Sequence, residues 1–208
     1  MGSNYMKMVL GARKIFLECD QSAMISRWGL ESDADNLYLR FMGERMRVDR
    51  HTGEVASMET EGYIPDEYIN ESMVLFDLLA YPQGRPHASG RWASISTLGG
   101  IIGAGHDRTL SREAVAEQFS GRTDALRAAC ERLGGVPMGR ADVSCAVPVF
   151  EDFGIWFQFW DGDDEFPASI KYLFDENALR YMHYETLWYA MGCLEDRLEY
   201  YIEGGDRR

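Results

Sequence analysis

Two periods run through the apolar positions of this chain, one of about 3.6 residues and one of about 2. Val9, Ala12, Ile15, Phe16, Cys19 and Ala23 follow the first, so residues 5–27 predict one amphipathic helix ending near Gly29. The stretch "NLYLRFMGERMRVDRHTGEVAS" follows the second: Leu37, Leu39 and Phe41 face one way, Tyr38, Arg40 and Met42 the other. With Gly43-Glu44 and Thr52-Gly53 as turns, it predicts a three-stranded meander. Pro65 suits the first turn of a helix, and Tyr68, Ile69, Met73, Phe76, Leu79 and Ala80 continue it until Pro82, Gly84 and Pro86.

Residues 82–109 are rich in glycine and irregular, with Trp92, Ser94 or Ile95 and Leu98 marking a short strand. "SREAVAEQFSGRTDALRAACERLGG" predicts two short helices, capped by Ser111 and Thr123 and stopped at Gly134-Gly135. "ADVSCAVPVF", "GIWFQFW" and "ASIKYLFD" predict strands, the last two joined as a hairpin through an acidic turn. A closing helix starts near Tyr184, where Leu187, Met191, Leu194, Leu198 and Tyr201 form a stripe too short for a coiled coil. This order predicts an α+β fold: one domain over residues 1–208, core about 5–204 with short flexible termini, its antiparallel sheet built from meander and C-terminal hairpin and packed by helices.

At 208 residues and 46% hydrophobic, the chain can bury a sizeable single core. Its net charge of -13 repels phosphate backbones and anionic headgroups, which disfavours nucleic acid and membrane partners. The balance is uneven: -6 over residues 1–81, +2 over 82–149 and -9 over 150–208. A positive middle third is either an anion-binding face or a segment that folds back onto acidic neighbours. Cys19, Cys130, Cys145 and Cys193 lie far apart with no Cys-x-x-Cys pair, and no signal peptide opens the chain, so reduced thiols and a cytoplasmic location are expected.

Motifs for chemistry are scarce. Gly100, Gly103 and Gly105 echo a phosphate loop, but His106 and Asp107 stand where Lys and Ser/Thr are needed. The histidines form no zinc-hydrolase pattern and no Gly-x-Ser-x-Gly occurs. Arg85, Arg91, Arg108 and Arg112, with His87 and His106, are candidates to converge on an anionic small molecule, since guanidinium forks suit carboxylate and phosphate. In "FWDGDDEFP", an EF-hand starting at Asp161 fails at Phe166 and Tyr172. A turn explains Asp161, Asp163 and Asp164; Mg²⁺ held by Asp164 or its neighbours with Asp175 is the sharper alternative, and Glu165 beside Phe166 is a candidate acid/base.

The run "FWDGDDEFPASIKYLFDENALRYMHYETLWYAMGCLEDRL", with "GRWASISTLGG" and "ALRAACERLGG", resembles a domain-of-unknown-function family of anaerobic bacteria and archaea. The family's signature maps onto Trp160, Gly162, Asp163 or Asp164, Glu165, Phe166 and Pro167, then Leu173, Phe174 and Asp175. Some relatives are joined to a cysteine-rich iron–sulfur domain; this chain has no such cysteine cluster, so the resemblance implies no redox role, and no cofactor follows. It implies instead a cytosolic binding or accessory protein of an anaerobic prokaryote, with a small molecule or a protein as partner. The alternative is an enzyme or small-molecule binder whose pocket, anion-binding or Mg-dependent, combines Arg85, Arg91, Trp92 and Arg108 with Asp164, Glu165 and Asp175.

Overall fold

The computed structural model describes residues 4–59, 69–98 and 112–205. The first apolar stripe folds as two helices, α1 (Asn4–Glu18) and α2 (Gln21–Trp28). The predicted single helix is broken at Asp20, whose carboxylate accepts from the Ser22 and Ala23 amides and so caps α2. The hydrophobic period runs on across this cap, and Ile15, assigned to the apolar face, is 58% exposed.

Strands β1 (Glu31–Ser32), β2 (Asn36–Phe41), β3 (Glu44–Asp49) and β4 (Val55–Ser57) pair in that order, all antiparallel. The predicted three-stranded meander is β2 to β4, with Leu37, Leu39 and Phe41 buried; β1 adds a fourth strand that the alternation does not predict. Between β2 and β3, Met42 (φ 47°) and Gly43 (φ 79°) form a two-residue turn with both φ values positive, the type whose twist suits a hairpin. This tip is not solvent-facing. Met42 is buried, its amide donates to the Val149 carbonyl at 2.9 Å, and a Cβ on Gly43 would lie 3.3 Å from the Leu133 carbonyl oxygen.

Helix α3 (Ile69–Ala80) follows, then β5 (Trp92–Ser94), α4 (Ile95–Leu98), α5 (Glu113–Phe119) and α6 (Thr123–Arg132). Pro65, Tyr68 and Ser111 lie outside the described residues. Thr123 does not cap α6: the N-cap position is Arg122, without a side-chain cap bond. The second sheet has the order β5-β9-β8-β7-β6, with β6 (Val136–Pro137), β7 (Val143–Phe150), β8 (Phe153–Trp160) and β9 (Ser169–Asp175). Meander and hairpin therefore belong to two sheets. A 3₁₀ turn (Ala178–Arg180) leads to α7 (Thr186–Ile202).

The α7 stripe does what its spacing predicts: Leu187, Met191, Leu194 and Leu198 are fully buried, each side chain contributing roughly 1.5–3 kcal/mol. The start of α7 is tied to α3 by Asp77, which accepts from the His183 amide (2.7 Å) and the Thr186 hydroxyl (2.6 Å). Further along, Arg197 is buried between Glu71 of α3 (2.5 Å) and Glu44 of β3 (3.2 Å), and its guanidinium lies 5.1 Å from the centre of the Phe41 ring. Ser57 of β4 donates to Glu44 from the other side. One ionic group thus joins α7, α3 and the first sheet.

The charge contrast also has a structural cause. Arg85 pairs with Glu151, Arg91 with Glu176 and Arg112 with Glu195, while Arg122 and Arg132 donate to the Ile202 and Gly205 carbonyls. The positive middle third folds back onto the acidic C-terminal segment.

Candidate functional site

Asp175, at the end of β9, is 3% exposed and accepts four hydrogen bonds, from the amides of Ser89, Gly90 and Asn177 and from the Ser89 hydroxyl. Its carboxylate anchors the loop that leads into β5. Beside it, Arg91 grips Glu176 through Nε (2.7 Å) and Nη2 (2.6 Å). Trp92 pairs in register with Asp175 and meets Trp156 edge to face at 5.9 Å. Arg85 holds Glu151 in the β7–β8 turn at 2.8 Å.

Asp164 and Glu165 sit elsewhere. Both are exposed at the tip of the β8–β9 hairpin, where Asp163 shapes the turn by accepting from the Glu165 and Phe166 amides. Asp161 fastens this tip to the α5–α6 junction through the Ser120 hydroxyl and the Gly121 amide, bonds that hold its carboxyl below the ordinary range. β9, roughly 20 Å of strand, carries Asp175 at its far end from the hairpin tip that holds Glu165. So far apart, they do not share a pocket. Arg108 lies outside the described residues.

Of the cysteines, Cys130 of α6 and Cys145 of β7 are buried against each other. Their mutual hydrogen bond and their burial push the Cys130 thiol well up, so it is a protonated core group and not a nucleophile. Burial does the same to Cys193. Among the described residues no group of three or more His, Cys, Asp or Glu could hold a metal ion, and no helix is long and apolar enough to cross a membrane.

A concave surface that gathers several polar groups lies on α7. Trp188, Tyr189, Gly192, Glu195 and Asp196 share one helical face and line a pocket of about 530 Å³. Met8 from α1, Asn70 from the first turn of α3 and Arg112 before α5 close it. Glu195 is 8% exposed, with one carboxylate oxygen accepting from the buried Tyr172 hydroxyl at 2.6 Å and the other facing Arg112 at 3.0 Å. Asp196 accepts from the Asn70 amide at 3.2 Å. A glycine inside a helix costs about 1 kcal/mol, and Gly192 has a local reason: a Cβ there would stand 2.8 Å from Asn70 Nδ2.

Both carboxyls are raised above their ordinary values. For Glu195 burial is the chief cause, offset in part by Tyr172 and Arg112. For Asp196 burial again leads, opposed by Asn70, Arg197 and Arg112 and reinforced by Glu199. Asp196 is itself exposed, so water moderates the shift. Ionising a carboxyl whose folded pKa is raised lowers stability as pH rises through that value.

Gly192→Ala is expected to change stability by less than about 1 kcal/mol, because helix propensity gains what the contact loses. It should nevertheless displace Asn70 from Asp196, visible as a change in the Asn70 side-chain amide resonances.

Sequence reasoning grouped Arg112 with the other arginines but passed over Asn70, Trp188, Tyr189, Glu195 and Asp196. The available signal was the mid-helix Gly192 flanked at helical spacing by Trp188 and Glu195-Asp196. The family described as a domain of unknown function (DUF3786) matches residues 20–197, a span that includes the hairpin of the resemblance and most of the α7 pocket. No curated protein and no solved structure matches the chain at a significant level.

Proposed function

The chain belongs to the family described as a domain of unknown function (DUF3786), and from that premise we propose a binding module that takes a small organic cation in the α7 pocket. The carrying observation is the pocket's acid excess: Glu185, Glu195 and Asp196 stand against Arg112 alone, and Arg112 is already paired with Glu195. Trp188 and Tyr189 contribute aromatic rings to the lining and Met8 a thioether, a combination suited to an amine carried on a hydrocarbon or aromatic body. The net charge of -13 raises the local concentration of such a ligand. Binding without chemistry of its own, in the cytosol of an anaerobic prokaryote, is the role the resemblance favours.

Phenethylamine and choline are suitable probes for calorimetric titration. Asp196→Asn, which keeps the shape and removes the charge, should weaken binding by about tenfold or more. Affinity should also fall as pH drops, because protonating Asp196 competes with the cation, and the fall should begin at higher pH than an ordinary aspartate would give. Binding that is indifferent to both the substitution and pH would overturn this reading.

A further inference from the structure

A second pocket, of about 400 Å³, lies between residues 81–86, which follow α3, and the 3₁₀ turn before α7. Its charged lining residues are Arg85 and Arg180, and among the described residues no carboxylate lines it, although the chain has 34 acidic against 21 basic side chains. We infer that this pocket binds a small organic phosphate.

Its frame is fixed in three places. The Tyr81 hydroxyl donates to the Leu179 carbonyl at 3.2 Å, joining the two walls; Gln83 donates to the Tyr81 carbonyl at 3.2 Å; and Pro82 and Pro86, both buried, restrict the backbone. Arg85 is oriented by one Nη2 contact to Glu151, which leaves its other donors available. Arg180 is exposed and has no carboxylate partner among the described residues, so an incoming anion need not displace one. Two guanidinium groups at one opening offer paired donors for phosphate oxygens. Tyr81, Pro82 and Leu179 supply apolar wall for the body that carries the phosphate, within the size range of small-molecule sites. Arg91, grouped with Arg85 on sequence, is taken up by Glu176 and does not line this pocket.

The test is calorimetric titration of the full chain with inorganic pyrophosphate and with adenosine monophosphate. Both should bind with Kd below about 1 mM, and Arg180→Ala should weaken them about tenfold, while charge reversal in Arg180→Glu should abolish binding. Arg91→Ala should bind as the parent does. So should Asp196→Asn, so that failure here leaves the cation pocket of α7 standing, and the reverse. Absence of binding by both anions, or unchanged affinity in Arg180→Ala and Arg180→Glu, would overturn the inference.

Discussion

Replacing Arg197 with alanine is expected to lower the unfolding free energy by about 3–5 kcal/mol, a large share of the stability of any single domain. The substitution takes the guanidinium away from Glu44 and Glu71, which are 4% and 1% exposed, and removes its stacking on Phe41. Low-dielectric surroundings make the loss of one partner far costlier than loss of a surface pair. Urea unfolding of parent and variant measures this. A loss under about 1 kcal/mol would mean that the buried ionic group does not join α7 to the first sheet.

Asp175→Ala is expected to cost about 2–3 kcal/mol, since the donors from Ser89, Gly90 and Asn177 lose a charged acceptor in a place where water replaces it poorly. The damage should be local. Hydrogen exchange should rise over residues 88–94, where β5 pairs with β9, and remain at parent levels in β7 and β8. Binding of an organic cation in the α7 pocket should be unchanged. A stability change within about 0.5 kcal/mol would show that the loop holds without this anchor.

Much of the fold was legible because its elements carry clean periods. Leu37, Leu39 and Phe41 alternate, the runs from Val143 to Trp160 alternate or are apolar throughout, and α7 steps at helical intervals. What failed were local interruptions and distant pairings. Asp20 breaks a helix whose hydrophobic period continues past it, because a carboxylate that accepts two amides outweighs one further turn. The pairing of Trp92 with Asp175 spans 83 positions of chain, and nothing in either segment specifies the other. Residues 161–165 form a hairpin tip, as their turn residues predict, while the signature that groups Glu165 with Asp175 joins that tip to the far end of β9. The α7 pocket escaped notice because its residues come from four separate segments, and because Glu195-Asp196 resembles an ordinary solvated helix face until Asn70, Arg112 and Tyr172 are brought against it.

The central claim, that the α7 pocket receives an organic cation, is tested most directly by an NMR titration of the isotopically labelled chain with phenethylamine at pH 8. The account predicts saturable shifts of the Trp188 indole N–H, the Gly192 amide and the Asn70 side-chain amide, with the midpoint about tenfold or more higher in Asp196→Asn. Shifts that leave these three signals unmoved, or that saturate at the same phenethylamine concentration in Asp196→Asn, would contradict it.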